Sequence, residues 1–592
     1  MEYKDKSLFE RIKDRWDSLG TVYDRLNGAR ENICAYFRPD LGSAYDEAAD
    51  MLQLGGDIYE GSGPWAARTM ATGFQGNTVS KRIDWRSYQM SDESVHGIDE
   101  LDIWVQDVKK HMSRVYQDGN FYDVQPQFTL DGVTTGSPVI FGEEHEGKVM
   151  WIPLHFKTYR LFYDRFNRPN GIIIEDEEWT AKKCFDKFCP GNDIQTRLKD
   201  AEKKFTTALF NAISQGRNND RFTIWRALFK DTDHIWHEAK EFEAPIGGKT
   251  WYDVYFEDID KEPYPKKKPL LTEGYYSQPF VVWNYDKKNW ESSARTPAFE
   301  AIYDTASLQE IFKSYLENIQ QKVRPAMGIL AGMKGRANLS PEGYVEVSRS
   351  EWNYLPKPIE NVGDVKIEVD TADMLQAKLD RHFHLDTFRQ FTNQAMRVKR
   401  PLAIQELIEM SGEKITLLLP MIETHEGYLE QADDRQMEIE SRAGRGPFEK
   451  SRVERVRDIL EQHTGEDSKG KIQVQVQFIG TLRQAQQRAQ KLQPITVGVT
   501  IAREMGESLQ DPDLARLAIK GYETLDEALQ AVNFPQKLIE EKETYEESVA
   551  QVAKARAEQQ QLENAAELMK ASKGIQGEVD PNSVMAGMAG AA

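Results

Sequence analysis

Two long helical patterns on either side of a short insert place the strongest constraint on this sequence. The first begins at Thr296-Pro297, and its apolar residues recur at three- and four-residue spacing as far as Val323. The second spans residues 371–391, and the insert between them is punctuated by Gly and Pro. Proline is tolerated in the first turn of a helix, so the first pattern predicts a helix that starts at residue 297 and ends before Pro325. The arrangement predicts a helical hairpin with a small strand-containing tip.

The segments before this hairpin predict helices followed by a β-rich region. Residues 8–36 have helical periodicity, and a small, Gly-rich stretch at 66–74 predicts a closely packed helix that leads to a strand near Trp85. From residue 121 to about residue 290, short apolar runs alternate with Gly, Pro, Asn and Asp. This pattern predicts strands together with one helix, at residues 200–214.

The segments after the hairpin predict mainly helices. A long helix is predicted over residues 401–442, with a kink at Pro420 because proline cannot donate a backbone hydrogen bond. Residues 472–479 alternate between apolar and polar and predict a strand, and residues 481–573 predict further helices before a flexible tail. Helices and strands are mixed irregularly, so the predicted fold class is α+β.

The balance of charges restricts nucleic acid binding to local patches. The chain has 592 residues with a net charge of −20. A protein that wraps DNA over its whole surface needs clustered Lys and Arg, so we expect any DNA contact here to be local. The apolar runs are shorter than the roughly 20 residues of a bilayer span, and the charged first residues do not resemble a signal peptide. We therefore expect no membrane partner and synthesis in the cytoplasm.

Two short motifs match a nucleotide or metal site only in part. The segment Gly247-Gly248-Lys249-Thr250 ends like a phosphate-binding loop, but Glu243 stands where that motif requires glycine. A strand pattern also follows where a helix must begin, which favours an exposed hairpin. His234 and His237 would share one face only on a helix, and their surroundings have a strand-like pattern.

The cysteines and a second histidine pair favour packing over chemistry. Cys34, Cys184 and Cys189 lack the paired spacing of a structural zinc site, and we interpret the last two as reduced packing residues. His382 and His384 point in different directions on a helix and are more simply surface or packing residues. The sequence therefore predicts neither an enzyme nor a bound cofactor.

Two windows without acidic residues carry the candidate functional residues. Residues 318–341 and 387–405 contain no Asp or Glu in a chain that is otherwise strongly acidic. One interpretation is rings of positive charge that face phosphates, and the other is chance together with the preference of cations for helix C-termini. On the first interpretation, we predict that the following residues face a DNA channel: Lys322, Arg324, Lys334, Arg336, Arg389, Arg397, Lys399 and Arg400.

Five sequence blocks follow one another in a recognisable order. They are RPD at 38–40, IYEGSGPWAARTMATGFQGNTVSKRIDW at 58–85, NFYDVQPQFTLDGVTTGSPVIFGEE at 120–144, KRPLAIQELIEMSGEKITLLLPMIE at 399–423 and VQFIGTLRQAQQRAQ at 476–490. In this order they resemble the portal, or head-to-tail connector, family of short-tailed, T7-like bacteriophages. The resemblance covers about residues 1–500.

The resemblance implies a non-enzymatic subunit of a twelve-fold ring through which double-stranded DNA is packaged and ejected. The implied segments are a wing at 1–296, a first stem helix at 297–324, a clip at 325–366, a second stem helix at 367–390, a channel loop at 391–402, a kinked helix returning to the wing at 403–495, and crown helices with a C-terminal barrel or tail at 496–592. The implied partners are other copies of the chain, DNA of any sequence, terminase, tail adaptor and tail proteins, and the major capsid and scaffolding proteins. The implied location is the head–tail junction of the virion, after assembly in the host cytoplasm.

The implied clip contains a candidate docking surface. Trp352, Tyr354 and Leu355 lie in a segment too short to bury them, so we predict that they contact tail adaptors and the packaging terminase. Two other classes of protein remain as alternatives: an oligomeric cytosolic nucleic-acid-processing enzyme or its accessory factor, and a helical scaffolding protein. The absence of a complete nucleotide or metal motif favours the portal.

Overall fold

The computed structural model describes most of the first 464 residues and a few short pieces beyond them. The described residues are 7–41, 58–81, 84–95, 98–230, 248–258, 269–323, 327–328, 357–358, 365–385, 404–464, 472, 474–479, 495, 497–501, 504 and 524. The chain divides into two compact units, residues 1–402 with 413–483 and residues 403–412 with 484–592. Within the described ranges, no helix combines the length and the apolarity that a membrane span needs.

Helices and strands alternate along the described chain. The helices are α1 Leu8–Phe37, α2 Ser62–Thr78, α3 Asp99–Asp118, α4 Phe121–Thr134, α5 Ala181–Phe188, α6 Ile194–Lys204, α7 Thr207–Ser214, α8 Pro297–Val323, α9 Val365–His382, α10 Ile404–Ala443 and α11 Lys450–Thr464. The strands are β1 Arg86–Met90, β2 Val139–His145, β3 Lys148–Leu154, β4 Tyr159–Tyr163, β5 Pro169–Thr180, β6 Arg221–Lys230, β7 Trp251–Glu257, β8 Leu271–Tyr275, β9 Phe280–Val282, β10 Met327–Gly328, β11 Lys357–Pro358 and β12 Val474–Phe478. This mixture confirms the predicted α+β class.

The strands pair into antiparallel sheets of different sizes. The largest has the order β4-β5-β6-β7-β8, so β4 and β8 form its opposite edges. A second sheet has the order β3-β2-β9, and two further pairs join β1 to β12 and β10 to β11. Successive strands of the largest sheet are adjacent, although only β4 and β5 are joined by a short turn. Among the described strands, the pairs β2–β9 and β1–β12 join segments that are far apart in the sequence.

The largest sheet is covered on both faces. On one face, α1 begins with a capping box, in which the Ser7 hydroxyl accepts the Glu10 N–H and the Glu10 carboxylate accepts the Ser7 N–H. The apolar stripe of α1 then packs on the sheet, and the rings of Trp16 and Trp225 meet edge to face at 5.1 Å. On the other face, residues of the three-stranded sheet complete a second cluster. Strand β7 is consequently buried along its whole length.

Several predicted elements are confirmed and some are wrong. Helices α1, α2, α8 and α10 and strands β1 and β12 lie where the sequence predicts them. The β-rich region does not begin at residue 121, because residues 121–134 form α4. Phe121, Val124 and Phe128 do have helical spacing and are buried, but Pro126 and Gly132 interrupt the pattern and give it the punctuation of a β-rich segment.

Two other boundaries needed correction. Two short helices, α6 and α7, replace the single helix predicted at 200–214, and a third, α5, precedes them. Each of the three has an N-cap side chain, from Thr180, Asp193 or Thr206. Helices α5, α6 and α7 have 8, 11 and 8 residues, which is too short for a clear helical period of apolar residues. Their N-cap residues were therefore the usable signal in the sequence. Helix α9 begins at Val365 rather than 371, and His384 lies beyond its end with a positive φ of 48°.

Candidate functional site

Helices α8 and α9 form an antiparallel hairpin, here called the arm. Leu308 of α8 clusters with Ala372 and Leu375 of α9, and Ile311 and Phe312 pack against this cluster. Beyond the helices, the β10–β11 ladder continues the same antiparallel course. The arm is thus the helical hairpin with a strand-containing tip that the sequence predicts, and residues 329–356 lie between the two ladder strands along the chain.

Polar contacts anchor the base of the arm to the segment that leads into α2. The Gln309 side-chain oxygen accepts the N–H groups of Tyr59 and Glu60 at 2.8 and 3.0 Å, and its amide nitrogen donates to the Glu60 carbonyl at 2.6 Å. One helical turn earlier, Thr305 packs against Gly63, where an added Cβ would lie 3.1 Å from the Thr305 methyl group. These contacts use both the oxygen and the nitrogen of a buried amide. They therefore fix the direction in which α8 leaves the part of the chain around the five-stranded sheet, here called the body.

The two halves of α8 differ sharply in burial. All of its buried residues lie between Pro297 and Gln309. Residues 310–323 include no buried side chain. Among their apolar residues, Leu316 is 40% exposed and Val323 is 72% exposed. A single copy therefore leaves apolar side chains of the outer half of α8, residues 310–323, open to water, which is typical of a surface that another polypeptide covers.

Ion pairs between the two helices contribute little to holding the arm together. Asp304 of α8 lies 3.7 Å from Lys378 and 3.2 Å from His382 of α9, and Glu300 lies 3.9 Å from His382. Exposed pairs of this kind contribute about 0–1 kcal/mol. The apolar cluster around Leu308 therefore sets the pairing. His382 is half-buried between the two helices, which agrees with the predicted choice of a surface or packing residue.

Among the predicted channel residues, the described structure contains only Lys322. It is exposed and lies in the last turn of α8, a position that suits both a phosphate-facing cation and the helix C-terminal preference. The remaining channel and docking residues lie outside the described residues and stay predictions: Arg324, Lys334, Arg336, Arg389, Arg397, Lys399, Arg400, Trp352, Tyr354 and Leu355.

A network of buried polar groups fixes the chain just before α8. The Arg30 guanidinium donates to the carbonyls of Thr135 and Gly136 at 2.9 and 3.1 Å and to the Ser293 hydroxyl at 2.8 Å. The Thr296 hydroxyl donates to the Thr134 carbonyl at 2.7 Å. Sequence reasoning singled out none of these residues for this role, because nothing in a polar-rich sequence marks which side chains are buried.

A second buried arginine joins α1 to α4 in the same region. Arg38 pairs with Asp131 and with Asp40, and its side chain is 3% exposed. Burial raises the pKa of the Asp131 carboxyl to about 6, although the Arg38 guanidinium opposes the shift. The blocks that contain RPD and TLDGVTTGS therefore build the platform from which the arm projects.

The motifs that resembled enzyme sites have structural roles where they are described. Thr250 is followed directly by strand β7, so the segment at 247–250 lacks the helix that a phosphate-binding loop requires. Cys184 and Cys189 belong to a hydrophobic cluster, and burial raises the pKa of the Cys184 thiol to about 12. These cysteines are packing residues, as predicted, whereas His234 and His237 lie outside the described residues.

Comparison with known proteins matches this architecture to one family. The family model for bacteriophage head to tail connecting proteins matches residues 10–539. The portal protein of Salmonella phage epsilon15 is 21% identical over 380 residues, which cover 62% of this chain and 62% of that protein. The chain thus matches less than two thirds of that relative's length. The family match includes the body, the arm and the long helix α10, and it confirms the resemblance predicted from the sequence. The chain belongs to the bacteriophage head to tail connecting protein family.

Proposed function

We propose that this protein is the portal subunit of a bacteriophage, and that its copies assemble into a closed ring around a DNA channel. The observation that carries the proposal is the outer half of α8, which leaves Leu316 and Val323 exposed in a single copy. In a ring, the arm of each copy lies beside the arms of two neighbours, which can cover these side chains. A ring requires a heterologous interface that closes, and obligate interfaces of this kind bury more than about 2,000 Å².

The channel acts through charge rather than through base recognition. Symmetry repeats every exposed cation around the axis. The few cations of the two acid-free windows, Lys322 among them, therefore become rings of positive charge. Each neutralised phosphate adds about 0.9 to the salt slope of binding, so many strong contacts would hold DNA in place. A mostly acidic subunit with few channel cations lets DNA slide, and backbone contacts accept any sequence.

The segments of the chain take the roles that the family resemblance implies. The proposed wing is residues 1–296, the stem helices are 297–324 and 367–390, the clip is 325–366, the channel loop is 391–402, the return to the wing is 403–495, and the crown with its barrel or tail is 496–592. The clip docks terminase during packaging and tail proteins afterwards, and the wing contacts capsid and scaffolding proteins. The finished ring, of twelve copies, lies at the head–tail junction of the virion after assembly in the host cytoplasm.

Imaging of the purified chain tests this proposal. We expect negative-stain micrographs to show closed rings with a central hole, and phage particles without the protein to contain no DNA. Protein that stays monomeric under assembly conditions, while catalysing hydrolysis of a nucleotide or a nucleic acid, would favour the nucleic-acid-processing alternative instead.

A further inference from the structure

Two exposed loops at the end of edge strand β4 present aromatic side chains to solvent. Phe166, in the β4–β5 turn, is 63% exposed, and Trp290, in the loop before α8, is 80% exposed. The Lys287 ammonium donates to the Asn167 side-chain oxygen and thereby links the two loops. We call these loops, residues 164–168 and 285–291, the aromatic knob.

Hydrogen bonds hold both loops of the aromatic knob in one conformation. The Asp164 carboxylate accepts the N–H groups of Phe166 and Arg168, each at 2.9 Å. In the other loop, the Glu291 N–H donates to the Lys288 carbonyl at 3.0 Å, and the Glu291 carboxylate accepts the Lys288 N–H at 3.3 Å. Because the loops are already ordered, a partner that covers the aromatic rings loses little conformational entropy.

The aromatic knob is cationic in a chain that is strongly acidic. Arg165, Arg168 and Lys288 are exposed, and no residue of the described structure forms an ion pair with them. The knob also contains three acids, so its four cations, Lys287 included, exceed them by one. Glu291 pairs with Arg295 at 2.8 Å, the Asp164 carboxylate accepts two backbone N–H groups, and Asp286 is exposed. Exposed aromatic rings beside arginine are typical of interface hot spots, and these cations favour a partner surface with an excess of carboxylates.

A cleft with that property lies at the opposite edge of the same sheet. A cavity of about 460 Å³ is bordered by edge strand β8, by the β2–β3 turn and by α10. Its charged lining consists of five carboxylates and four cations: Glu143, Glu144, Glu146, Glu273 and Glu438, and Lys187, Lys249, Arg435 and Arg442. We call this cavity the acidic cleft.

The acidic cleft has one carboxylate more than its cations can pair. Arg226 pairs with Asp253 at 2.6 Å, and Lys187 pairs with Glu143 but lies 4.0 Å from Glu273. Burial raises the pKa of the Glu273 carboxyl. The nearby carboxylates of Asp253 and Glu143 raise this pKa further, whereas the Lys187 ammonium lowers it. A cation that arrived from outside would complete this set of charges.

The aromatic rings of the acidic cleft also have the geometry to receive a guanidinium. Arg435 is 1% exposed and already lies over the Tyr275 ring at 4.8 Å, while its Nε has no hydrogen-bond partner among the described residues. Tyr276 is 44% exposed beside it. Arg442 lies over the Tyr276 ring at 6.0 Å. Contacts between arginine and tyrosine therefore already occur within one copy, and the partly exposed Tyr276 ring adds aromatic surface that a guanidinium of a second copy can contact.

We propose that the aromatic knob of one copy docks into the acidic cleft of the next copy. The proposal rests on the ring described under Proposed function. Strands β4 and β8 are separated by four inter-strand spacings, roughly 19 Å, so the knob and the cleft mark opposite edges of one sheet. A contact that pairs two different surfaces is heterologous and repeats from copy to copy until the ring closes. In this contact Arg165 or Arg168 supplies the missing cation, and Phe166 and Trp290 lose their exposure to water.

Charge reversal on the knob tests the contact directly. We expect Arg165→Glu/Arg168→Glu to raise the protein concentration needed for half-maximal ring formation by about 10- to 100-fold, because like charges then meet in the interface. Lys203→Glu/Arg457→Glu is the matched control, since both residues are exposed cations on helices away from the knob. Mass photometry would count the rings, and thermal melting would show that each variant folds. A knob variant that assembles as readily as the control overturns the proposal.

Mixing two assembly-defective variants identifies the partner surface. Glu146→Arg/Glu273→Gln should also assemble poorly alone, because the native knob then meets a cationic cleft. An equimolar mixture with the knob variant should form rings again, because alternating copies pair opposite charges at every interface. If the mixture stays unassembled, the knob does not dock in this cleft. If the native chain itself forms no rings, the proposed function fails, and if it forms rings that neither variant weakens, only the docking contact fails.

Discussion

The core of the five-stranded sheet and the outer half of α8 differ in how far a single copy covers their side chains. In the body, strand β7 is buried along its length, and polar groups such as Arg30 find partners within the same copy. In the outer half of α8, Leu316 and Val323 remain exposed. From this difference we infer that one copy buries the core of the body by itself, whereas the outer half of α8 is covered only in the proposed ring. Substitutions in the body should therefore change the stability of a single copy, and those in the outer arm should change assembly.

The largest effect is expected in the turn of the body that precedes β2. Gly136 has a φ of +77°, and an added Cβ would lie 2.5 Å from the Ala294 carbonyl oxygen. We predict that Gly136→Ala lowers the free energy of unfolding by roughly 3–4 kcal/mol, from backbone strain and overlap together. Gly28→Ala is the control, because that helical glycine has open space and should gain about 0.5–1 kcal/mol. Chemical denaturation would measure both, and equal effects would contradict the account of this turn.

Two leucines on α8 sharpen the comparison within one helix. Leu308 is 1% exposed and belongs to the apolar cluster of the arm, whereas Leu316 is 40% exposed. We predict that Leu308→Ala lowers the free energy of unfolding by about 3 kcal/mol and that Leu316→Ala changes it by less than about 0.5 kcal/mol. Leu316→Ala should instead reduce ring formation. If Leu316→Ala destabilises the single copy as much as Leu308→Ala, the distinction between the halves of α8 is wrong.

A buried histidine predicts a dependence of body stability on pH. His425 contacts the rings of Phe74, Trp283 and Tyr428, and neither ring nitrogen has a hydrogen-bond partner among the described residues. Burial lowers the pKa of this imidazole to about 3, so the unfolded chain binds a proton below about pH 6.5 that the folded chain rejects. Stability is consequently lost as the pH falls, by roughly 2 kcal/mol at pH 5.

Replacing this histidine by phenylalanine tests that assignment. His425→Phe keeps the aromatic contacts and removes the proton-binding group, so the loss of stability between pH 7 and pH 5 should be about 2 kcal/mol smaller than in the native chain. Thermal melting at a series of pH values would measure the difference. Parallel pH profiles for the two proteins would show that His425 is not the group responsible.

The clip should affect docking without affecting the body. We predict that Trp352→Ser/Tyr354→Ser leaves melting of the single copy and ring assembly unchanged and weakens binding of tail adaptors and terminase. Pull-down of these partners with native and substituted rings would measure the loss. Rings that still bind adaptors and support DNA packaging normally would refute the assignment of these residues as a docking surface.

The smallest effect on stability is expected in the proposed channel loop. We predict that Arg397→Gln/Lys399→Gln/Arg400→Gln changes the free energy of unfolding by less than about 0.5 kcal/mol and leaves rings assembled. Particles should nonetheless fail to complete or retain the packaged genome, because the proposed channel would lack the cations expected to contact phosphates there. The length of packaged DNA would measure this. Full-length, stably held genomes would return these cations to an inter-subunit or helix-terminal role.

Local signals explain which parts of the fold were predictable from the sequence. Helix α8 was predicted to within a residue, because Pro297 marks its first turn and its apolar face is continuous. Strands β1 and β12 were both predicted, but their pairing was not. Arg86 pairs with Phe478 across most of the chain, and alternation does not specify which strand is the partner.

The candidate site was predictable in position but not in detail. Helical periodicity located the arm, whereas the site residues of the two charge windows, apart from Lys322, lie outside the described residues and stay predictions. Lys322 lies in the last turn of α8, where helix electrostatics favours a cation in any protein. The aromatic knob was not predicted, because its two loops are far apart in the sequence and are joined by contacts such as the Lys287–Asn167 hydrogen bond. The sequence holds the residues, whereas only the fold brings their loops together.

Cysteine labelling of the outer arm tests the central claim most directly. The native Cys34, Cys184 and Cys189 are buried, so single substitutions Leu316→Cys and Val323→Cys would report on the arm with little background. Both sites should react rapidly in the single copy and at least about tenfold more slowly after assembly, because neighbouring arms cover them. Lys203→Cys, on exposed α6, should react at one rate in both states. Equal labelling of the arm sites before and after assembly would contradict the claim that neighbouring copies cover the outer half of α8.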